Sequence, residues 1–205
     1  GFSNRELAMR LQGPIVAALQ SVFIGDWYLE TREELDEPYA FDVDFDAGDM
    51  VMQALPSGPD YEGGRVDMVF TQMIHSAQKE IVLVTPYFIP NQALVQALRT
   101  AVLRGVKVTL VLSVKLDSKI VEKAQRSYYA ELLAAGVVIK LFAPHFLHAK
   151  HLRIDRRICL IGSSNMDMRS FELNAEISVL AYGEAATGKL AEAEQEFMEN
   201  TEELV

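Results

Sequence analysis

The chain has 205 residues, half of them hydrophobic, and a formal net charge of -10 at pH 7. Such a length buries roughly 70% of the surface its unfolded form exposes, enough for one core, so one domain over 1–205 is expected. The acidic balance argues against a protein that follows a long nucleic acid with basic side chains, and the longest apolar runs, at 81–84 and 106–114, are far short of the roughly 20 residues that cross a bilayer. No signal-peptide pattern is visible, and the single Cys159 reads as a small buried residue that fits a reducing compartment.

Leu7, Met9 and Leu11 alternate with other residues and predict a strand over 6–12, after which Gly13-Pro14 suits the start of a helix running to about residue 29. Nine acids against Arg32 alone then fill positions 30–49, and the part from 30 to 48 reads as an acidic loop. A strand is expected at 51–55, a turn at Pro56-Ser57-Gly58-Pro59 and a helix over 64–78. Strands at 80–85, 106–113 and 137–142 then alternate with helices at 91–104 and 118–135. Such alternation predicts an α/β fold with a largely parallel sheet covered on both faces. A hairpin, a strand at 175–182 and a helix from 184 onward complete the unit.

The hairpin carries the most informative residues, His148-Ala149-Lys150, four further residues and Asp155, with Gly162-Ser163-Ser164-Asn165 behind them. On a strand over 147–154, side chains two apart share a face, which puts imidazole and ammonium into one space. A two-residue turn at Asp155-Arg156 would pair Ile154 with Arg157 and set Ser163 across from His148, roughly 5 Å away at Cβ. Asn165 follows on the same side. Asp155, roughly 23 Å along the strand from His148, reads as a turn-former or strut. Lys150, Arg153, Arg156, Arg157 and Arg169 outnumber Asp155 and Asp167 here, so a phosphate site is expected in an otherwise acidic molecule.

Other signals have plainer readings. Gly183 to Lys189 has the spacing of a phosphate loop, but Leu190 stands where a Ser or Thr would be needed. Asp42, Asp44 and Asp46 imitate the start of a calcium loop, but Ala47 and Gln53 break the pattern, leaving a solvated acidic loop. His145, His148 and His151 alternate faces in an extended segment, so one ion cannot collect all three. Residues 85–90, with Lys115, Asp117, Arg126 and Tyr128, are candidates for the pocket wall because they follow strand ends. Arg169 is open between strut and substrate contact.

The pattern His-x-Lys, four residues, Asp resembles the phospholipase D superfamily. The continuation Asn165-Met166-Asp167-Met168-Arg169-Ser170-Phe171, then Leu173-Asn174-Ala175-Glu176, is similar to bacterial cardiolipin synthases, as are Thr85 to Pro90, Arg104-Gly105-Val106 and Gly13-Pro14 leading to Asp26-Trp27. The resemblance implies a three-layer sandwich with a mixed, mostly parallel sheet. It also implies a catalytic set of His148, Lys150, Asp155 and Glu176, with Glu176 orienting the histidine and Lys150, Ser163 and Asn165 binding substrate, and no metal or cofactor. The implied reaction joins two phosphatidylglycerol molecules through a phosphohistidine and releases glycerol. Enzymes of this type carry two such motifs in one chain, whereas here no second His-x-Lys occurs. The chain therefore resembles a C-terminal half, itself soluble, whose partners are a missing first half or a second copy and a bacterial membrane surface reached through other segments, with no nucleic acid. A homodimeric phosphodiesterase (phospholipase D or nuclease) and a noncatalytic phosphate- or lipid-binding fragment are the alternative readings.

Overall fold

The computed structural model describes residues 4–35, 46–61 and 65–205. Asp42 and Asp44 of the acidic stretch lie outside the described residues. A short strand β1 (Asn4–Arg5) opens the chain, and the predicted strand at 6–12 is instead extended backbone without a ladder. Helix α1 (Pro14–Thr31) begins on proline, whose fixed φ suits a first turn, and stops at Arg32 in the left-handed region. It is apolar on all sides, yet only Ile15 is buried.

Strand β2 (Met52–Ser57), α2 (Val66–Ser76), β3 (Glu80–Thr85), the two-residue β4 (Phe88–Ile89), α3 (Gln92–Leu103) and β5 (Lys107–Ser113) follow. The helix expected at 118–135 is two, α4 (Lys119–Ser127) and α5 (Tyr129–Ala134), broken at Tyr128. The Tyr128 ring packs edge-on against Phe88 and its hydroxyl donates to the Pro90 carbonyl. The remaining elements are β6 (Val138–Phe142), β7 (Phe146–Leu147), β8 (His151–Ile154), β9 (Ile158–Gly162), β10 (Met166–Asp167), α6 (Met168–Glu172), β11 (Glu176–Tyr182), α7 (Glu184–Glu199) and β12 (Thr201–Leu204). The phosphate-loop spacing at 183–189 falls mostly within α7, so it forms no loop.

Eight strands form one sheet in the order β12-β6-β5-β3-β8-β9-β11-β2. The α/β class and the mixed sheet are as expected, but within this sheet parallel pairing is confined to β3-β5-β6, and its other ladders are antiparallel. Parallel neighbours need a crossover helix, which α3 and the α4–α5 pair supply, whereas β8 and β9 are joined by a tight hairpin, β9 reaches β11 through β10 and α6, and α7 carries the chain from β11 to β12 at the far edge. The main core lies where β3, β5 and β8 meet α2 and α3, around Phe70, Ile74, Leu83, Leu98, Leu110 and Leu152. Phe142, Leu147 and Phe197 build a second cluster on the other face beneath α7.

The turn after β8 differs from the expected one. Ile154 pairs with Ile158 rather than Arg157, because Asp155 takes a left-handed φ of 53° and three residues make the turn. That shifts the hairpin register by one position. The Asp155 carboxylate accepts from the backbone N–H groups of Gln78, Lys79 and Glu80 at 2.8–3.0 Å. Burial pushes its pKa up, but those three donors win and hold it below the usual carboxylate range. It ties the hairpin to the start of β3 and is a strut, outside the pocket that His148 lines. A depressed carboxylate stabilises the fold fully above its unfolded pKa, and that contribution is lost as pH falls through the folded value. Asp155→Asn should therefore cost about 2 kcal/mol at pH 7 and progressively less as pH falls through the folded pKa, which a series of thermal melts from pH 7 downward into strong acid will show.

Candidate active site

Residues 148–150 leave the ladder between β7 and β8, so the HAK triplet is a bend rather than the middle of one strand. What places His148 is a parallel contact from the far end of the chain. Asn4 pairs with Phe146 and Arg5 with Leu147, and the His148 amide donates to the Arg5 carbonyl at 2.8 Å. Carried one residue further, this register puts Glu6 beside His148. The His148 Nδ1–H donates to the Glu6 carboxylate, with separations of 2.8 and 3.0 Å to its two oxygens. A carboxylate only accepts, so Nδ1 carries a proton, and whenever the ring is neutral its lone pair is on Nε2. The expected orienting group, Glu176, is elsewhere engaged: its Oε1 accepts from Ser170 Oγ and Asn174 Nδ2, both at 3.2 Å.

His148, Lys150, Ser163, Asn165, Glu176 and Glu6 nevertheless line one open pocket of about 580 Å³. Its other wall is apolar, with Leu7, Met9, Leu19 and Ile161. Gly162 permits the close approach on which this depends: a Cβ there would sit 2.5 Å from the Ile177 carbonyl oxygen. With β9 pressed onto β11, the Ser163 amide donates to the Ile177 carbonyl and Ser163 Oγ accepts from the Ile177 amide, at 3.0 Å each. Ser163 thus fastens the strand end. Asn165 follows, its Oδ1 buried and without a protein partner among the described residues. A buried acceptor left unpaired is costly, and a ligand donor at that point would relieve the cost.

Lys150 is half-buried, and its ammonium donates to the His148 carbonyl at 2.7 Å. Burial pulls its pKa down to about 8, against the upward pull of Glu6, Glu176 and Asp167. A lysine whose folded pKa lies below its unfolded value destabilises the fold when charged, fully below the folded pKa and ever less as pH rises toward the unfolded one. Lys150→Met should therefore raise the melting temperature at pH 7, with the gain fading between pH 8 and 10.5. A lower melting temperature at pH 7 would contradict this account of the site.

The wall residues expected from strand ends are partly here. Thr85 Oγ1 accepts from the Met166 amide at 3.3 Å, and β4 pairs in parallel with β10, which zips residues 85–90 to the strand after Asn165. Tyr87 donates to Asp117 at 2.9 Å, and its ring packs on Phe146, which packs on His148. Arg169 is exposed and is no buried strut. Arg126 instead pairs with Glu122 along α4, and Lys115 donates to the Pro144 carbonyl. Among the described residues no three His, Cys, Asp or Glu side chains converge as metal ligands. His145 is exposed and His151 is buried.

The family pattern described as cardiolipin synthase, PLD-like domain, matches residues 70–200. The chain belongs to this family. It is 37% identical over 202 residues to a probable cardiolipin synthase of Bacillus subtilis, covering 98% of this chain and 40% of the relative. Identity to cardiolipin synthase A of Pseudomonas aeruginosa is also 37%, over 199 residues, covering 97% and 40%. The chain thus spans about two fifths of the length of these cardiolipin synthases. The fold is shared with a phospholipase D family member, Nuc, from Salmonella typhimurium, at a TM-score of 0.63 and 19% identity, covering 76% of this chain and 99% of the other. Among the described residues, no helix is long and apolar enough to cross a membrane.

Proposed function

We propose that this chain is one catalytic domain of a cardiolipin synthase-type phosphatidyltransferase, the second half of a two-motif enzyme acting at a bacterial membrane. The observation that carries the proposal is His148 with its Nδ1 proton held by Glu6, beside Lys150 and the unpaired Asn165 oxygen. A neutral imidazole so held can attack phosphorus through Nε2 or, once protonated there, give its proton to a leaving alcohol. In the first step a histidine nitrogen bonds to the phosphorus of phosphatidylglycerol while the phosphorus–oxygen bond to glycerol breaks. The leaving oxygen takes a proton from a second histidine, supplied by the other motif. In the second step the hydroxyl oxygen of another phosphatidylglycerol bonds to the phosphorus while the phosphorus–nitrogen bond breaks, freeing the first histidine, and the hydroxyl proton returns to the second histidine. Two phosphatidylglycerols thereby give cardiolipin and glycerol.

Lys150 supplies positive charge to the nonbridging oxygens, and the Asn165 amide supplies further hydrogen bonds to the phosphate group. Glu6 stabilises the imidazolium as charge develops. The apolar wall of Leu7, Met9, Leu19 and Ile161 helps keep water from the intermediate. The sequence joined to its native flanking segments, given labelled phosphatidylglycerol in vesicles, should yield cardiolipin with little phosphatidic acid. Phosphatidic acid as the main product would make it a hydrolase. Dimer-dependent phosphodiester cleavage by the chain alone would favour the homodimer reading, and phosphate binding without turnover would leave only a binding module.

A further inference from the structure

Beyond the pocket around His148 lies a second one of about 560 Å³, lined by Tyr87, Asp117, Asn165, Asp167, Arg169 and Asn174 among others. Its residues join it to the first pocket in three ways. Asn165 lines both. Glu176, in the wall of the first, accepts from Ser170 and Asn174 of the second. Tyr87 packs on Phe146, which packs on His148, with ring centroids 5.9 and 5.5 Å apart.

The second pocket has different chemistry from the first. Arg169 is exposed, and no ion pair engages its guanidinium among the described residues. Asp117 accepts from Tyr87 Oη, and Asp167 Oδ1 accepts from the Ser170 amide at 2.8 Å. Each carboxylate has lone pairs left for further donors. Burial first, then Asp117, pushes the Tyr87 phenol up to about 12, so it stays a donor throughout the working pH range. A free guanidinium suits an anionic phosphodiester, and carboxylates held by donors suit vicinal hydroxyls.

Building on the cardiolipin synthase reading, we infer that this second pocket receives the headgroup of the acceptor, an alcohol-bearing phosphodiester, with Arg169 on its phosphate and Asp117 on a glycerol hydroxyl. The acceptor's reactive hydroxyl then reaches the phosphohistidine past Asn165, and the donor occupies the first pocket. The same arrangement lets an alcohol compete with water, because a water molecule has neither a phosphate for Arg169 nor a second hydroxyl for Asp117.

The test uses the full-length protein containing this chain, with phosphatidylglycerol as donor and two isotopically labelled soluble acceptors, glycerol and glycerophosphoglycerol, whose label is followed into lipid because transfer to glycerol regenerates phosphatidylglycerol. Only the latter carries a phosphodiester. Arg169→Gln should raise the half-saturating concentration of glycerophosphoglycerol at least tenfold relative to that of glycerol, and Arg169→Lys should recover part of that ratio. Asp117→Asn should weaken both acceptors and move product toward phosphatidic acid. An unchanged ratio in Arg169→Gln, or an equal loss for both acceptors, would overturn the assignment. Wild-type protein that transfers to neither alcohol, and only hydrolyses, would instead overturn the transferase reading beneath it.

Discussion

In the full-length protein containing this chain, replacing His148 with alanine should lower turnover of phosphatidylglycerol by about two orders of magnitude if the imidazole is only a general acid, and by far more if it is the nucleophile. Loss of a nucleophile that works with a partner base costs on the order of a million-fold, and loss of a general acid about 10²–10⁴-fold. Glu6→Gln is the sharper experiment. The amide can present its NH₂ to Nδ1 and so reverse the tautomer, putting the proton on Nε2, which must then be free of it to attack. A loss of about 10⁴-fold is expected, as for other imidazoles held by a carboxylate. Glu176→Gln, by contrast, leaves the ring nitrogen untouched and should cost far less. Rates of lipid turnover for the three variants rank the carboxylates directly, and a larger loss for Glu176→Gln than for Glu6→Gln would restore Glu176 as the orienting group.

The second large effect is expected in stability. Glu194 of α7 is 2% exposed, and its Oε2 accepts from Arg153 Nε at 2.8 Å, while another Arg153 nitrogen reaches Glu80 at 2.6 Å. His151 Nε2 stands 3.2 Å from Glu194 Oε1, but the two are not aligned as a hydrogen bond, and His151 instead stacks on Phe197. Arg153 sits on β8 in the middle of the sheet, so losing Glu194 removes the buried carboxylate and leaves the guanidinium only the half-exposed Glu80 and the Asp155 carbonyl. Glu194→Ala should cost about 3–5 kcal/mol. In a chain of this size that is a fall of roughly 6–20 °C in melting temperature. The double variant Arg153→Met with Glu194→Leu should recover most of it, since two matched apolar side chains leave no buried charge unpaired and Glu80 is open to solvent. A single variant that melts within 2 °C of wild type would show the network to be dispensable.

Much of the architecture was legible because periodicity and turn residues report local backbone. Strands 80–85 and 137–142 and helix 91–104 needed only apolar spacing with Asn, Gly or Pro at their ends. The hairpin register was misread because the left-handed φ of Asp155 adds a residue to the turn, and Asp-Arg carries no signal for that. Glu6 was missed for a different reason. Its contact with His148 spans 142 positions and rests on a two-residue parallel ladder, which leaves no periodic trace. Glu176 does line the pocket, but here its Oε1 accepts from Ser170 and Asn174 rather than from His148, a pair of local contacts that no spacing announces. Thr201–Leu204 was unread as a strand, since an edge strand carrying Glu202 and Glu203 has no apolar face to declare it.

Those two glutamates have a bearing on how a companion half can approach. β12 closes one margin of the sheet with exposed carboxylates that would repel an incoming strand, and β2 closes the other with Pro56, which offers no N–H, and with α1 lying against it. Continuation of the sheet from one unit into the next is thereby discouraged at both ends. Two such units, were they to pair, would have to join through a face other than these margins rather than as one unbroken ribbon.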